Sequence, residues 1–124
     1  MQVIYWHNEK IWIIEKYSDN FFHLKNYSNN KIVSLVRNKN IDIGIDLMGY
    51  TEHHRMSIFH ERIAPTQINY LGYPGTIGKK FIDYIVADKI LIPENYHKFY
   101  LEKIIYLPEC YQPQYELTDT SKIN

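Results

Sequence analysis

Four short apolar runs, separated by helical or turn-forming stretches, constrain the fold of this chain more than any other feature. They cover residues 41–47, 67–71, 81–86 and 104–107, and each has the length and side-chain types of a strand. Strand, loop and helix in repetition predict an α/β fold with a mostly parallel sheet and flanking helices. Only about ten residues join the second and third runs, which is near the lower limit for a parallel crossover. We therefore expect that these two strands are not neighbours.

The stretches around these runs carry helix signals. Apolar residues at helical spacing predict a helix over about residues 29–38, and Ser28 is suited to cap its first turn. A short helix over about residues 55–61 is expected to end before Pro65, because proline disfavours helical geometry in the preceding residue. Pro93 suits the first turn of a third helix.

Length and charge limit the class of protein. The chain has 124 residues, of which 45% are hydrophobic. This hydrophobic content can fill one core, and the length is too short for two domains. Lys and Arg number 14, as do Asp and Glu, so the net charge is zero. Nucleic-acid and anionic-membrane binders usually carry a basic excess. We therefore expect neither of those partners, and instead a small polar ligand or a protein.

The cysteine count and the first residues predict a soluble, cytoplasmic protein. Cys110 is the only cysteine, which excludes an internal disulfide and any zinc site that needs two cysteines. We expect its side chain to be a packed apolar group rather than a nucleophile. Charged residues interrupt the apolar residues over 1–17, so neither a signal peptide nor a transmembrane span is predicted.

Candidate binding residues follow the predicted strands, because ligands of open α/β sheets bind beyond the carboxyl ends of the strands. The segments in question are residues 48–55, 72–78, 87–89 and 108–111. Thr51 is either a helix cap or part of a binding site. Arg55 is either a surface charge or a group that steers an anionic or hydroxyl-rich ligand. His53 and His54 are adjacent in sequence, so they cannot chelate one metal together as an i, i+4 pair would, and we expect them to face solvent.

The loop at residues 72–76, GYPGT, contains the Pro-Gly pair of a type II turn. It lacks the glycine spacing of a dinucleotide site and the ending of a P-loop, so it is a poor phosphate cradle. Four aspartates are candidates for a general base, although carboxylates at strand ends often only cap the next helix. They are Asp42, Asp46, Asp83 and Asp88.

Together these segments form a longer series of motifs. Residues 40–51 read NIDIGIDLMGYT, residues 64–76 read APTQINYLGYPGT, residues 81–88 read FIDYIVAD and residues 102–113 read EKIIYLPECYQP. The series resembles the O-linked N-acetylglucosamine transferase family, which includes the SPINDLY-like proteins and forms glycosyltransferase family 41. The resemblance implies a partial N-terminal catalytic lobe at residues 20–113, a divergent segment at 1–19 and a polar tail at 114–124. In the first segment, residues 11–14 either add an edge strand or lie outside the family.

The resemblance implies a partial Rossmann-like lobe of a GT-B glycosyltransferase. Family members transfer N-acetylglucosamine from UDP-N-acetylglucosamine to Ser or Thr hydroxyls of proteins, with inversion and without an essential metal. Their carboxyl-terminal lobe makes most contacts to the UDP. We therefore expect an acceptor protein or peptide, no cofactor besides this donor substrate, and no metal site. Without a second polypeptide that carries the UDP-binding lobe, we expect no activity.

The family's site residues are carried over position by position. The resemblance implies an acceptor-side cleft lined by Gly49, Tyr50, Thr51, Arg55, Gly72, Tyr73, Pro74, Gly75, Thr76, Asp88 and Pro108. Asp42 stands where animal members have a histidine once proposed as catalytic, and where bacterial relatives commonly have aspartate. Glu109 replaces the histidine of the usual Leu-Pro-His-Cys-Tyr-Gln-Pro, and an ionised glutamate only accepts hydrogen bonds. Two alternatives therefore stay open: a non-catalytic peptide-binding or scaffold module, and a truncated gene product.

Overall fold

The computed structural model describes residues 2–5 and 15–112. The predicted tail at 114–124 lies outside the described residues, and so does most of the segment at 1–19, including residues 11–14. Strands β1 (Gln2–Tyr5) and β2 (Asn20–His23) form a parallel pair. Strands β3 (Ile43–Asp46), β4 (Thr66–Asn69), β5 (Tyr84–Ala87) and β6 (Lys103–Tyr106) form a second sheet in that order, and every pair in it is parallel.

Helices precede and connect the strands of the four-stranded sheet. Helix α1 (Asn29–Arg37) precedes β3, helix α2 (Met56–His60) joins β3 to β4, and the 3-10 helix (Glu94–Phe99) joins β5 to β6. The α/β architecture predicted from the sequence is therefore confirmed. None of the helices described is long and apolar enough to cross a membrane.

The connection between β4 and β5 corrects one expectation. The two strands are neighbours, with Ile68 opposite Tyr84 in parallel register, so the prediction that they are separated is wrong. The structure starts β5 at Tyr84 rather than at Phe81, which leaves residues 70–83 for the crossover. Turns, bends and irregular backbone fill this segment, so a parallel connection is made here without a helix.

Local signals explain the first helix. The Ser28 hydroxyl accepts a hydrogen bond from the backbone N–H of Lys31 at 3.3 Å, which is the capping predicted from the sequence. The apolar stripe of α1 is buried at Ile32, Val33 and Val36. It packs with residues of α2 and of the segments before α1 and after α2 in one core cluster, so α1 and α2 lie side by side.

The sheet is covered on one face only in the described part of the chain. On the covered face, the residues of β3, β4 and β5 are buried and those of β6 are partly buried. The buried residues include Gln67, which is fully enclosed. Its amide nitrogen donates to the carbonyl groups of Phe59 and Phe81, and its amide oxygen accepts from the Ile63 N–H at 2.9 Å. On the opposite face, Ile43 and Ile45 are 55% and 50% exposed. Parallel sheets are almost always covered on both faces, so this apolar face is a surface suited to further packing.

Candidate functional site

The loops that follow β3 and β4 pack directly against each other at the carboxyl edge of the sheet. The Tyr73 N–H donates to the Met48 carbonyl at 3.3 Å. A methyl group at Gly72 would overlap the Met48 carbonyl, and one at Gly49 would lie 3.0 Å from the Tyr73 carbonyl oxygen. Gly49 also has a φ of +60°, which glycine adopts without strain. This contact between two backbones, called here the loop junction, therefore requires both glycines.

Two buried polar side chains lie at the strand ends beneath the loop junction. The Asp46 carboxylate accepts hydrogen bonds from the Met48 and Gly49 N–H groups at 3.2 and 2.8 Å. Burial raises the pKa of Asp46, and these two hydrogen bonds oppose that rise. Asn69 is opposite Asp46 in the register of β3 and β4, and its Nδ2 donates to the Tyr73 carbonyl at 3.4 Å. The two side chains therefore hold one loop each.

Two oxygens near this edge are buried without a hydrogen-bond partner in the described residues: Thr51 Oγ1 and Asn69 Oδ1. The helix cap considered for Thr51 is not formed, because α2 begins after Arg55 and has no side-chain cap. Buried polar atoms are normally hydrogen-bonded. Both oxygens therefore have an unused acceptor position, but each is enclosed by protein in this structure.

The rest of the GYPGT loop is fixed to the start of β6. The Thr76 hydroxyl and the Ile77 N–H donate to the carboxylate of the buried Glu102 at 2.6 and 2.7 Å. The Tyr100 hydroxyl donates to the Pro74 carbonyl at 3.2 Å. Burial, followed by the nearby Tyr73 and Glu102, raises the pKa of Tyr100. This loop is therefore anchored at three points along its length.

Arg55 makes structural contacts. Its guanidinium donates to Asn29 Oδ1 at 2.7 Å and to the carbonyl groups of Tyr27 and Leu24 at 2.6 and 3.3 Å. Partial burial lowers the pKa of Arg55. These bonds connect the start of α2 to the segment before α1, so they favour a role in the fold over the steering of a ligand.

Asp88 also acts through backbone groups. Its carboxylate accepts from the N–H groups of Ile90 and Leu91, at 2.9 and 2.7 Å, and from that of Tyr111 at 2.9 Å. The hydrogen bonds from Leu91 and Tyr111 lower the pKa of Asp88. Asp88 therefore shapes the turn after β5 and ties the segment after β6 to it.

The two catalytic candidates, Asp42 and Glu109, lie at opposite ends of the strands. Asp42 is exposed and immediately precedes β3, so a strand of about 13 Å separates it from the loop junction. Glu109 is exposed after β6, as is Pro108. Cys110 is exposed too, and its thiol donates to the Gln112 carbonyl at 3.3 Å, so the expectation of a packed side chain is wrong.

Two residues that hold the loops at this edge were not predicted from the sequence, although the sequence contains a signal for each. Asn69 and Glu102 were not singled out, yet each is a polar residue in or beside a predicted strand, where burial requires a hydrogen-bonding role. His53 and His54 are exposed, as expected. Within the part of the chain that the structure describes, no group of three or more His, Cys, Asp or Glu side chains is placed to hold a metal ion.

A parallel sheet whose loops contact each other at its carboxyl edge is an α/β lobe, a class of fold in which ligands bind beyond that edge. The chain belongs to glycosyl transferase family 41, whose family model matches residues 9–114. This confirms the resemblance seen in the motifs. The chain spans about a tenth of the length of its curated relatives, so it corresponds to a fragment of them.

Two plant proteins and one solved structure illustrate this relationship. The chain is 38% identical over 98 residues to the probable UDP-N-acetylglucosamine–peptide N-acetylglucosaminyltransferase SEC of Arabidopsis thaliana, covering 79% of this chain and 10% of that protein. It is 36% identical over 89 residues to the corresponding SPINDLY protein of Oryza sativa subsp. japonica, covering 69% and 10%. A mutant of the Thermobaculum terrenum O-GlcNAc transferase matches with a TM-score of 0.83 and 28% identity, over 91% of this chain and 22% of that chain.

Proposed function

We propose that this chain is part of the catalytic region of a protein O-GlcNAc transferase and forms the acceptor side of a GT-B cleft. The reaction transfers N-acetylglucosamine from UDP-GlcNAc to a Ser or Thr hydroxyl, with inversion and without a metal or other cofactor. The loop junction is the observation that supports this most, because the loops around Gly49 and Gly72 contact each other at the carboxyl edge of the sheet, where α/β folds commonly bind ligands.

The chemistry of inverting transfer suits a rigid surface of this kind. The acceptor oxygen forms a bond to the anomeric carbon, the bond to the UDP oxygen breaks, and the hydroxyl proton passes to a base. Such a step needs the acceptor held in a fixed position. Tyr50 and Tyr73 flank the loop junction, 45% and 57% exposed, and aromatic rings of this kind bind a peptide or a sugar face.

The same proposal includes inactivity of the lone chain. Asp42 and Glu109 lie at opposite ends of the strands, and both are exposed, so the lone chain holds neither side chain in a fixed position beside an acceptor hydroxyl. The exposed Ile43 and Ile45 side chains suit packing against the rest of a transferase, or against a second polypeptide that carries the UDP-binding lobe. A cytoplasmic location accords with a single unpaired cysteine.

The proposal is tested by incubating the purified chain with labelled UDP-GlcNAc and a Ser-containing peptide, with a full-length relative as the positive control. We expect no sustained transfer by the lone chain, and sustained turnover would contradict the claim of inactivity. Calorimetry separates the alternative of a non-catalytic module, because that module would bind the peptide and show no dependence on the sugar nucleotide in any context.

A further inference from the structure

A shallow groove of about 480 Å³ lies between α2 and the crossover from β4 to β5. Met56 and Phe81 supply its apolar lining. Tyr50 and His60 also line it, together with two consecutive lysines, Lys79 and Lys80. It is called here the lysine groove. Since Tyr50 also flanks the loop junction, the groove adjoins the proposed acceptor surface.

The cationic side of the lysine groove is not neutralised within the described residues. Lys79 and Lys80 are exposed, and neither forms an ion pair there. Two acidic residues near the groove have other partners: Asp83, the nearest along the chain, and Glu61, the neighbour of the groove-lining His60. Asp83 pairs with Arg62 at 2.9 Å, and Glu61 lies 3.7 Å from the ring nitrogen of His60. The two ammonium groups therefore present their charge to solvent beside an apolar floor.

We propose that the lysine groove binds an acidic stretch of the acceptor polypeptide that flanks the modified Ser or Thr. This inference rests on the proposed function and gives the chemical class of its substrate. An open groove suits an extended peptide better than a small anion, since it encloses neither a phosphate nor a nucleotide. Carboxylates of the peptide lie against Lys79 and Lys80, and its apolar side chains lie on Met56 and Phe81. The chain's zero net charge makes this local cationic patch the source of selectivity.

The test is fluorescence anisotropy with the full chain and two labelled peptides. One peptide carries four Asp or Glu residues around a central Ser, and the other replaces each with Asn or Gln. We expect the acidic peptide to bind more tightly, and the preference to shrink as salt is added. The Lys79→Glu/Lys80→Glu variant should lose about fivefold to tenfold in affinity for the acidic peptide, because two exposed attractions become repulsions. The Lys39→Glu/Lys98→Glu variant makes the same charge change outside the groove and should bind as the parent does.

Two outcomes would overturn the inference: equal binding of the acidic and amide peptides, or an equal loss of affinity in both double variants. Circular dichroism spectra of the two variants check that each is folded. Failure of the groove is distinguishable from failure of the proposed function, because anisotropy reports binding alone. If a completed enzyme transfers the sugar without preferring acidic peptides, the proposed function stands and the groove proposal fails. If it binds acidic peptides but transfers nothing, the groove proposal stands and the proposed function fails.

Discussion

The loop junction makes one strong prediction about stability. Replacing Gly72 by alanine puts a methyl group into the backbone of Met48, whose Cα would be 2.7 Å away. The loops must separate, which breaks the hydrogen bond from the Tyr73 N–H, worth about 1 kcal/mol. The buried Asn69 amide then loses its carbonyl partner, which costs about 1–3 kcal/mol, while the reduced entropy of the unfolded chain returns up to about 1 kcal/mol. We expect Gly72→Ala to lower the free energy of unfolding by about 1–4 kcal/mol.

The assay is urea unfolding followed by circular dichroism, with Gly44→Ala as the matched control. A methyl group at Gly44 would make ordinary contacts at 3.5 Å with Ala64 and Phe59, so we expect that variant to be as stable as the parent or up to about 1 kcal/mol more stable. If Gly72→Ala and Gly44→Ala unfold at the same urea concentration, the argument for a tight contact between the two loops is refuted.

Three further variants test other parts of the account. Arg55→Met removes three hydrogen bonds and should lower the free energy of unfolding by roughly 2–4 kcal/mol in urea titrations. An unchanged free energy of unfolding would refute the structural role of Arg55. Asp88→Asn should destabilise the protein at pH 7. The pKa of the Asp88 carboxyl is lower in the folded than in the unfolded chain, so the carboxylate stabilises the fold at pH values above the unfolded pKa. That contribution disappears as the pH falls below about 4, so a gap in melting temperature that persists in acid would contradict it. The double variant Ile43→Thr/Ile45→Thr should reduce aggregation measured by light scattering, with a small effect on the free energy of unfolding. Unchanged aggregation would argue that the exposed apolar face of the sheet does not mediate association.

The sequence predicted the order of elements better than their spatial neighbours. Period-2 and period-3.6 patterns mark strands and helices locally, and the Ser28 cap follows from residue type alone. The sequence did not predict the pairing of β4 with β5. A strand that begins at Phe81 leaves too short a crossover, whereas β5 begins at Tyr84 and leaves a longer one.

Side-chain roles were harder to predict than elements, because residue type does not specify a partner. From the sequence, Arg55 was either a surface charge or a group that steers a ligand, whereas three-dimensional packing brings the Leu24 and Tyr27 carbonyls to it. A free cysteine is usually a buried apolar side chain, yet Cys110 is exposed in the segment after β6. The loop junction was accessible from sequence only as two glycine motifs, and their direct contact depends on parallel pairing of β3 with β4.

The central claim is that this lobe is a working part of a transferase when the remainder is supplied. The most direct measurement exchanges the matching segment of the Thermobaculum terrenum enzyme for residues 20–112 of this chain and follows transfer from labelled UDP-GlcNAc to a Ser peptide. We predict that the chimera transfers the sugar, and that Gly72→Ala within it reduces the rate because the loop junction opens. A folded chimera that binds the donor but transfers nothing would contradict the claim.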